Sequence, residues 1–222
     1  MMRTTRQLVA VLVLGLSPVG LAMAQSGATV AVGGFETDGS VGLTREQYTS
    51  LGRALGALLA ADLGGRAAAK VVPLSATPMN RGRVDVGAAR QAATAAGGRL
   101  LVVGSLLDQY GDVHMEARIV NAATGEPVAV IRGDPALASR EQLGEAIAAL
   151  AERLAQQPGV GVRRGDAPTR RGVSVDALVQ FGRGLGLEAA GDRAKAAEAY
   201  RAALVAAPGL SEAAAALARV GG

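Results

Sequence analysis

Between Arg99 and Asp134 three apolar runs alternate with two turn signals. Leu100 to Leu107 is a near-continuous Leu/Val run, the pattern of a strand covered on both faces. Tyr110-Gly111-Asp112 then reverses the chain into Val113 to Asn121, where Val113, Met115, Ala117 and Ile119 alternate with His114, Glu116, Arg118 and Val120. A period of two predicts a strand with one largely polar face. Ala123 to Glu126 makes the second turn, and Pro127 to Arg132 reads as a third strand whose proline stands at its start, where a missing donor is tolerated. These strands form a β-meander that helices must cover.

Upstream, Ala28 to Phe35 is a short apolar strand ending near a glycine pair, followed by a polar loop. Thr44 with Gln47 makes a capping box, and Tyr48, Leu51, Leu55 and Leu58 recur at helical spacing, with Gly64-Gly65 as the stop signal. Lys70 to Leu74 reads as a strand, and a polar loop with two prolines leads to Asp85. Asp85 is positioned to cap an Ala-rich helix that closes at Gly97-Gly98. Downstream of the meander, Ser139 and Gln142 make another capping box, and Leu143, Ile147, Leu150 and Leu154 line a helix that ends at Pro158-Gly159. The order β-α-β-α-β-β-β-α predicts an α/β (α+β) fold: parallel pairs from the strand-helix-strand units, antiparallel pairs from the hairpins, and helices packed on one mixed sheet.

Residues 158–174 lose all periodicity and carry Arg163, Arg164, Arg170 and Arg171, so a basic Gly/Pro linker is expected there. From Val175 the helical pattern returns. Leu178, Phe181 and Leu185 share one face, and Ala196, Tyr200, Ala203 and Leu204 share another beyond the Gly191-Asp192 turn. Ser211 opens a last helix with Leu217 and Val220. Residues 175–222 are therefore a helical hairpin plus a cap.

The amino terminus changes the setting. Arg3 and Arg6 precede an apolar run from Leu8 to Leu16, and Ala22-Met23-Ala24 follows Pro18 and Gly20. That is the layout of a secretory signal peptide, residues 1–24, cleaved between Ala24 and Gln25. The run is shorter than the roughly 20 apolar residues that span a bilayer. The chain holds no cysteine, so the expected exported form is neither a lipoprotein nor disulfide-stapled. Without Arg3 and Arg6 the basic and acidic residues nearly balance. The only aromatics are Phe35, Tyr48, Tyr110, Phe181 and Tyr200, too few for a stacking platform, and no nucleic-acid partner is expected.

Chemistry is scarce. The Gly33-Gly34 to Gly39-Ser40 stretch lacks the Gly-Lys-Ser/Thr ending of a phosphate loop. Gly182-x-Gly184-x-Gly186 lies inside a helical pattern with no strand before it. His114 is the only histidine, so neither a familiar zinc set nor a triad is complete. Ser105 lies in VGSLL, outside a nucleophile elbow. Asp108 and Asp112 flank a turn, where aspartate commonly bonds backbone. The expectation is a protein that is not an enzyme, with no catalytic residue, cofactor or metal.

Two resemblances follow from these residues. Ala177 to Leu210 resembles one tetratricopeptide repeat, with Gly184 and Ala196 at the small positions, Tyr200 at the large aromatic, Ala203 at the next small position and Pro208 at the closing proline. Residues 28–157 resemble the exported α/β domain shared by the TolB amino-terminal region, the curli secretion protein CsgG and the flagellar protein FlgO. The shared phrasing is the opening VAVGGF strand, the Ala-rich helix leading to Val103-Gly104-Ser105, and Ala123-Thr124-Gly125-Glu126. They imply an α/β domain (residues 25–157), the linker (158–174) and a repeat-like unit (175–222). They also imply periplasmic protein-protein interaction in envelope assembly, with envelope proteins or a second copy as partners. The repeat resemblance places Leu178, Phe181, Leu185 and Glu188 at groove-lining positions. The alternative is binding of a small ligand or cell-wall fragment by the polar loops 36–43 and 75–84.

Overall fold

The computed structural model describes residues 28–39, 42–74, 76–80, 83–133, 138–163 and 172–221. The signal peptide, its cleavage site, Ser40 and the linker arginines Arg164, Arg170 and Arg171 lie outside the described residues. The first half of the chain runs β1 (Thr29–Gly39), α1 (Arg45–Arg66), β2 (Lys70–Pro73), a small hairpin β3 (Met79–Asn80) and β4 (Arg83–Val84), then α2 (Val86–Ala95). The meander is β5 (Leu100–Gln109), β6 (Asp112–Asn121) and β7 (Pro127–Arg132). A two-residue strand β8 (Ala138–Ser139) and a 3₁₀ turn lead into α3 (Leu143–Ala155). The chain ends in α4 (Val175–Ala189), α5 (Arg193–Ala206) and α6 (Ser211–Gly221).

The sheet order is β2-β1-β5-β6-β7, with β8 also paired to β6. β1 is parallel to β2 and β5, and the meander pairs are antiparallel. This is the mixed sheet with covering helices that the periodicity predicts. On β6, Val113, Met115, Ala117 and Ile119 are buried as their alternation requires. They face α1 and α3, which share one apolar core with β1, β5 and the C-terminal helices. On the opposite face α2 packs Ala89 and Ala93 on Ala31, Leu101, Val103 and Val120.

Three local expectations change. First, β1 does not end at Phe35. After a register shift between Val32 and Phe35, Glu36 to Gly39 continue the ladder against Ser105 to Asp108, because the long β5 supplies partners and the bulge absorbs Gly33-Gly34. Second, α1 runs through Gly64-Gly65 to Arg66. Neither glycine adopts positive φ, and tertiary packing of Leu63 and Ala67 holds the last turn against their weak helix propensity. Third, residues 160–163 of the expected linker are bonded to the fold. Val160 and Gly161 accept from Ala69 and Ala68, and the Arg163 amide donates to the Arg66 carbonyl.

Helix α1 is buried on almost every side, and glycine makes this possible. A methyl at Gly56 would stand 2.6 Å from the Gly33 carbonyl, so α1 lies directly on the β1 backbone. On the other side a methyl at Gly182 would stand 1.8 Å from the Ser50 carbonyl, so α4 crosses α1 at backbone contact. Behind it, Gly184 abuts the Tyr200 ring, and Phe181 and Tyr200 pack with centroids 6.0 Å apart. The helical hairpin and its third helix thus form a third layer on α1.

Candidate functional site

Three helix faces converge on a cleft of about 800 Å³. Arg53, Gly56, Ala57, Ala60 and Ala61 form a stripe on α1 at helical spacing. Phe181, Leu185, Glu188 and Ala189 form the facing stripe on α4, and Glu212, Ala215, Ala216 and Arg219 form a third on α6. The Gly33-Gly34 bulge with Pro73, Leu74, Ala76 and Thr77 closes the remaining wall. Thr77 fixes that wall, because its hydroxyl accepts from the Gly34 amide at 2.6 Å. The amide of Leu74 also donates to the Val32 carbonyl. Walls built of glycine and alanine let a bound chain approach the protein backbone closely.

A charged network sets the rim. Arg219 donates two hydrogen bonds to the Glu188 carboxylate, at 2.8 and 2.9 Å. The Tyr200 hydroxyl donates to the same carboxylate at 2.5 Å. The Arg219 bonds hold the Glu188 carboxyl below its ordinary range. Burial first, and the anionic Glu188 second, push the Tyr200 phenol up. Arg193 donates to the carbonyls of Arg219 and Val220, so the end of α6 is tied to the start of α5 as the Glu188 bonds tie it to α4. Arg53 is exposed, its guanidinium lies over Gly186, and among the described residues it joins no ion pair.

Of the groove-lining residues expected from sequence, Phe181, Leu185 and Glu188 come together in this cleft. Leu178 does not, being fully buried in the shared core. Phe181 is 2% exposed and offers the cleft little surface. Loop 75–84 contributes Ala76 and Thr77, whereas the described residues of stretch 36–43 contribute nothing. Its first half is strand, and the Glu36 carboxylate accepts from the Val84 amide at 3.0 Å. Arg53, Arg219 and the α6 stripe escaped sequence reading. The signal for the α1 wall is the recurrence of small residues at 56, 57, 60 and 61, opposite the leucine stripe of the same helix.

A second polar cluster lies elsewhere. Asp108 is 2% exposed. It accepts from Arg140 Nε at 2.5 Å, the Tyr48 hydroxyl at 3.2 Å and the Gly111 amide at 3.0 Å. Burial, then Asp108, raises the Tyr48 phenol, while Asp108 raises the Arg140 guanidinium. The cluster joins α1, the β5–β6 turn and the 3₁₀ turn, while Asp112 stands apart and exposed. Ser105 and His114 share the open half of the sheet as diagonal neighbours, since Ser105 pairs with Glu116 and His114 with Leu107. Neither makes a side-chain hydrogen bond among the described residues.

No known protein family matches the chain. No curated protein matches it either. Among solved structures, the PelC dodecamer from Paraburkholderia phytofirmans is similar at 19% identity and a TM-score of 0.42, covering 62% of this chain and 90% of that one. A variant of the same dodecamer gives 17%, 0.41, 61% and 90%. The LpoB C-terminal domain from Salmonella enterica gives 13% and 0.33, covering 51% and 83%.

Proposed function

We propose that this is a non-enzymatic docking protein of the bacterial envelope, exported to the periplasm, whose recognition site is the cleft between α1 and the α4–α6 unit. The leader-like amino terminus supports export, and the resemblance of the two halves to TolB/CsgG-like and tetratricopeptide units supports assembly work. The observation that carries the reading is the cleft. It is lined by small apolar residues with a few charges at its rim, and it brings together Phe181, Leu185 and Glu188. In this reading Ser105 and His114 take part in no reaction, because they stand on an open sheet face without a general-base contact.

The test is a photo-crosslinking residue placed in cells at Ala61 or Ala215, both exposed on the cleft wall, or at Val205 as a distant exposed control. Discrete protein adducts from the cleft positions and none from Val205 are expected. Equal adducts from all three, or none from the cleft, would remove the reading. The small-ligand alternative is favoured by one observation, a cleft volume inside the range of small-molecule pockets. It requires saturable calorimetric binding of a cell-wall fragment that Ala215→Arg abolishes.

A further inference from the structure

Four of the five aromatic side chains are buried, and the fifth, Tyr110, is 85% exposed. It stands at the tip of the β5–β6 hairpin, where Gln109 pairs with Asp112 and two residues make the turn. Its φ is 58° and that of Gly111 is 100°. Both signs are those of a type I′ turn, which fits the twist of the strands and prefers Asn, Asp or Gly at Tyr110's position. A tyrosine held left-handed is strained, and this one neither packs nor hydrogen-bonds among the described residues. Folding gives no reason for it. Strain kept at an exposed position points to function, and tyrosine is enriched among residues that dominate interfaces.

The surroundings of the tip match the cleft. Asp112, beside Tyr110, is exposed and joins no ion pair among the described residues, as Arg53 does not in the cleft. β1 flanks the hairpin up to Asp108 and β8 pairs with it at Asp112, so only the Tyr110-Gly111 turn stands beyond the last ladder pairs. It is the exposed Tyr110 ring that enters, and it finds apolar methyl walls and a guanidinium for cation–π contact. The Asp108–Gly111 bond holds the tip rigid.

We propose that the cleft receives the Tyr110 hairpin tip of a second copy of this chain, with Asp112 facing Arg53. The proposal rests on the reading of the cleft as a recognition site and names its occupant. Because knob and cleft are different surfaces, the contact is head-to-tail, and each copy offers a free end to the next.

Sedimentation velocity of the purified exported protein over a concentration series tests this. The unmodified protein associates with rising concentration. Tyr110→Asn, which suits the turn, leaves the melting temperature unchanged or raised while weakening association at least ~10-fold. Ala215→Arg fills the cleft from an exposed position and has the same effect on association. Mixing the two variants restores a 1:1 pair that grows no further, since each supplies the surface the other lacks. A monomeric unmodified protein, association indifferent to Tyr110→Asn, or variants that fail to pair would each overturn the proposal. If the protein is monomeric yet cleft adducts form in cells and vanish with Ala215→Arg, self-docking fails while the docking function stands.

Discussion

Gly182 and Gly186 lie one turn apart on α4, and an added methyl meets different neighbours at each. Both substitutions by alanine gain helix propensity, about 1 kcal/mol. At Gly182 the methyl would collide with the Ser50 backbone, which cannot yield without prising α4 off α1. At Gly186 it meets only the far end of Arg53, a flexible side chain. Gly182→Ala is therefore expected to lower unfolding stability by roughly 2–3 kcal/mol in urea titration, and Gly186→Ala to leave it unchanged or slightly raised. Equal effects would contradict the close helix crossing. Glu188 gives a residue-scale pH dependence. Its carboxyl is depressed in the folded protein by Arg219, so it stabilises the fold above the ordinary glutamate range. That contribution is lost as pH falls through the lower, folded value. The stability–pH profile of Glu188→Gln should be flatter in that acid window than that of the unmodified protein, and parallel to it above.

At the scale of elements, α1 explains both what the sequence discloses and what it hides. The stripe of Tyr48, Leu51, Leu55 and Leu58 is legible because it follows helical spacing and faces the sheet. The small buried positions, Ser50, Gly52, Ala54, Gly56 and Ala60, read as a neutral face, since small residues carry little hydrophobic signal. They are buried because neighbouring backbones come close, and a close approach is a tertiary fact. The alternation of β6 and the cap at Asp85 are local patterns and survive intact. The continuation of β1 beyond Phe35 depends on a ladder partner 69 residues away, so Glu36 and Asp38 read locally as loop. Phe181, Leu185 and Glu188 could be picked out as one helix face, but their cleft needs α1 and α6, which no spacing on α4 announces. If α4 covers α1 in this way, removal of residues 174–222 uncovers an apolar helix face. The truncated chain is expected to lose cooperative thermal unfolding by circular dichroism and to bind a hydrophobic dye. A sharply melting, dye-silent fragment would show that α1 needs no outer layer.

At the scale of the molecule, one apolar core runs from Val30 and Val102 in the sheet through α1 to Leu178, Tyr200 and Val220 in the last three helices. No break in it separates a sheet unit from a helical one, and residues 160–163 tie the end of α1 to the segment after α3. A continuous core predicts one cooperative transition for the whole chain, since neither part keeps its burial when the other unfolds. Far-ultraviolet circular dichroism reports all the helices, whereas the near-ultraviolet tyrosine signal is weighted toward Tyr48, buried beside Asp108, and Tyr200, buried against Gly184. The two probes should trace the same urea curve with one midpoint. A tyrosine change that precedes loss of helix would mean that the α4–α6 layer releases first. The cleft would then be a hinge and not a preformed seat. Coincident curves would mean that whatever docks there meets a surface already built, with its ordering entropy already lost on folding.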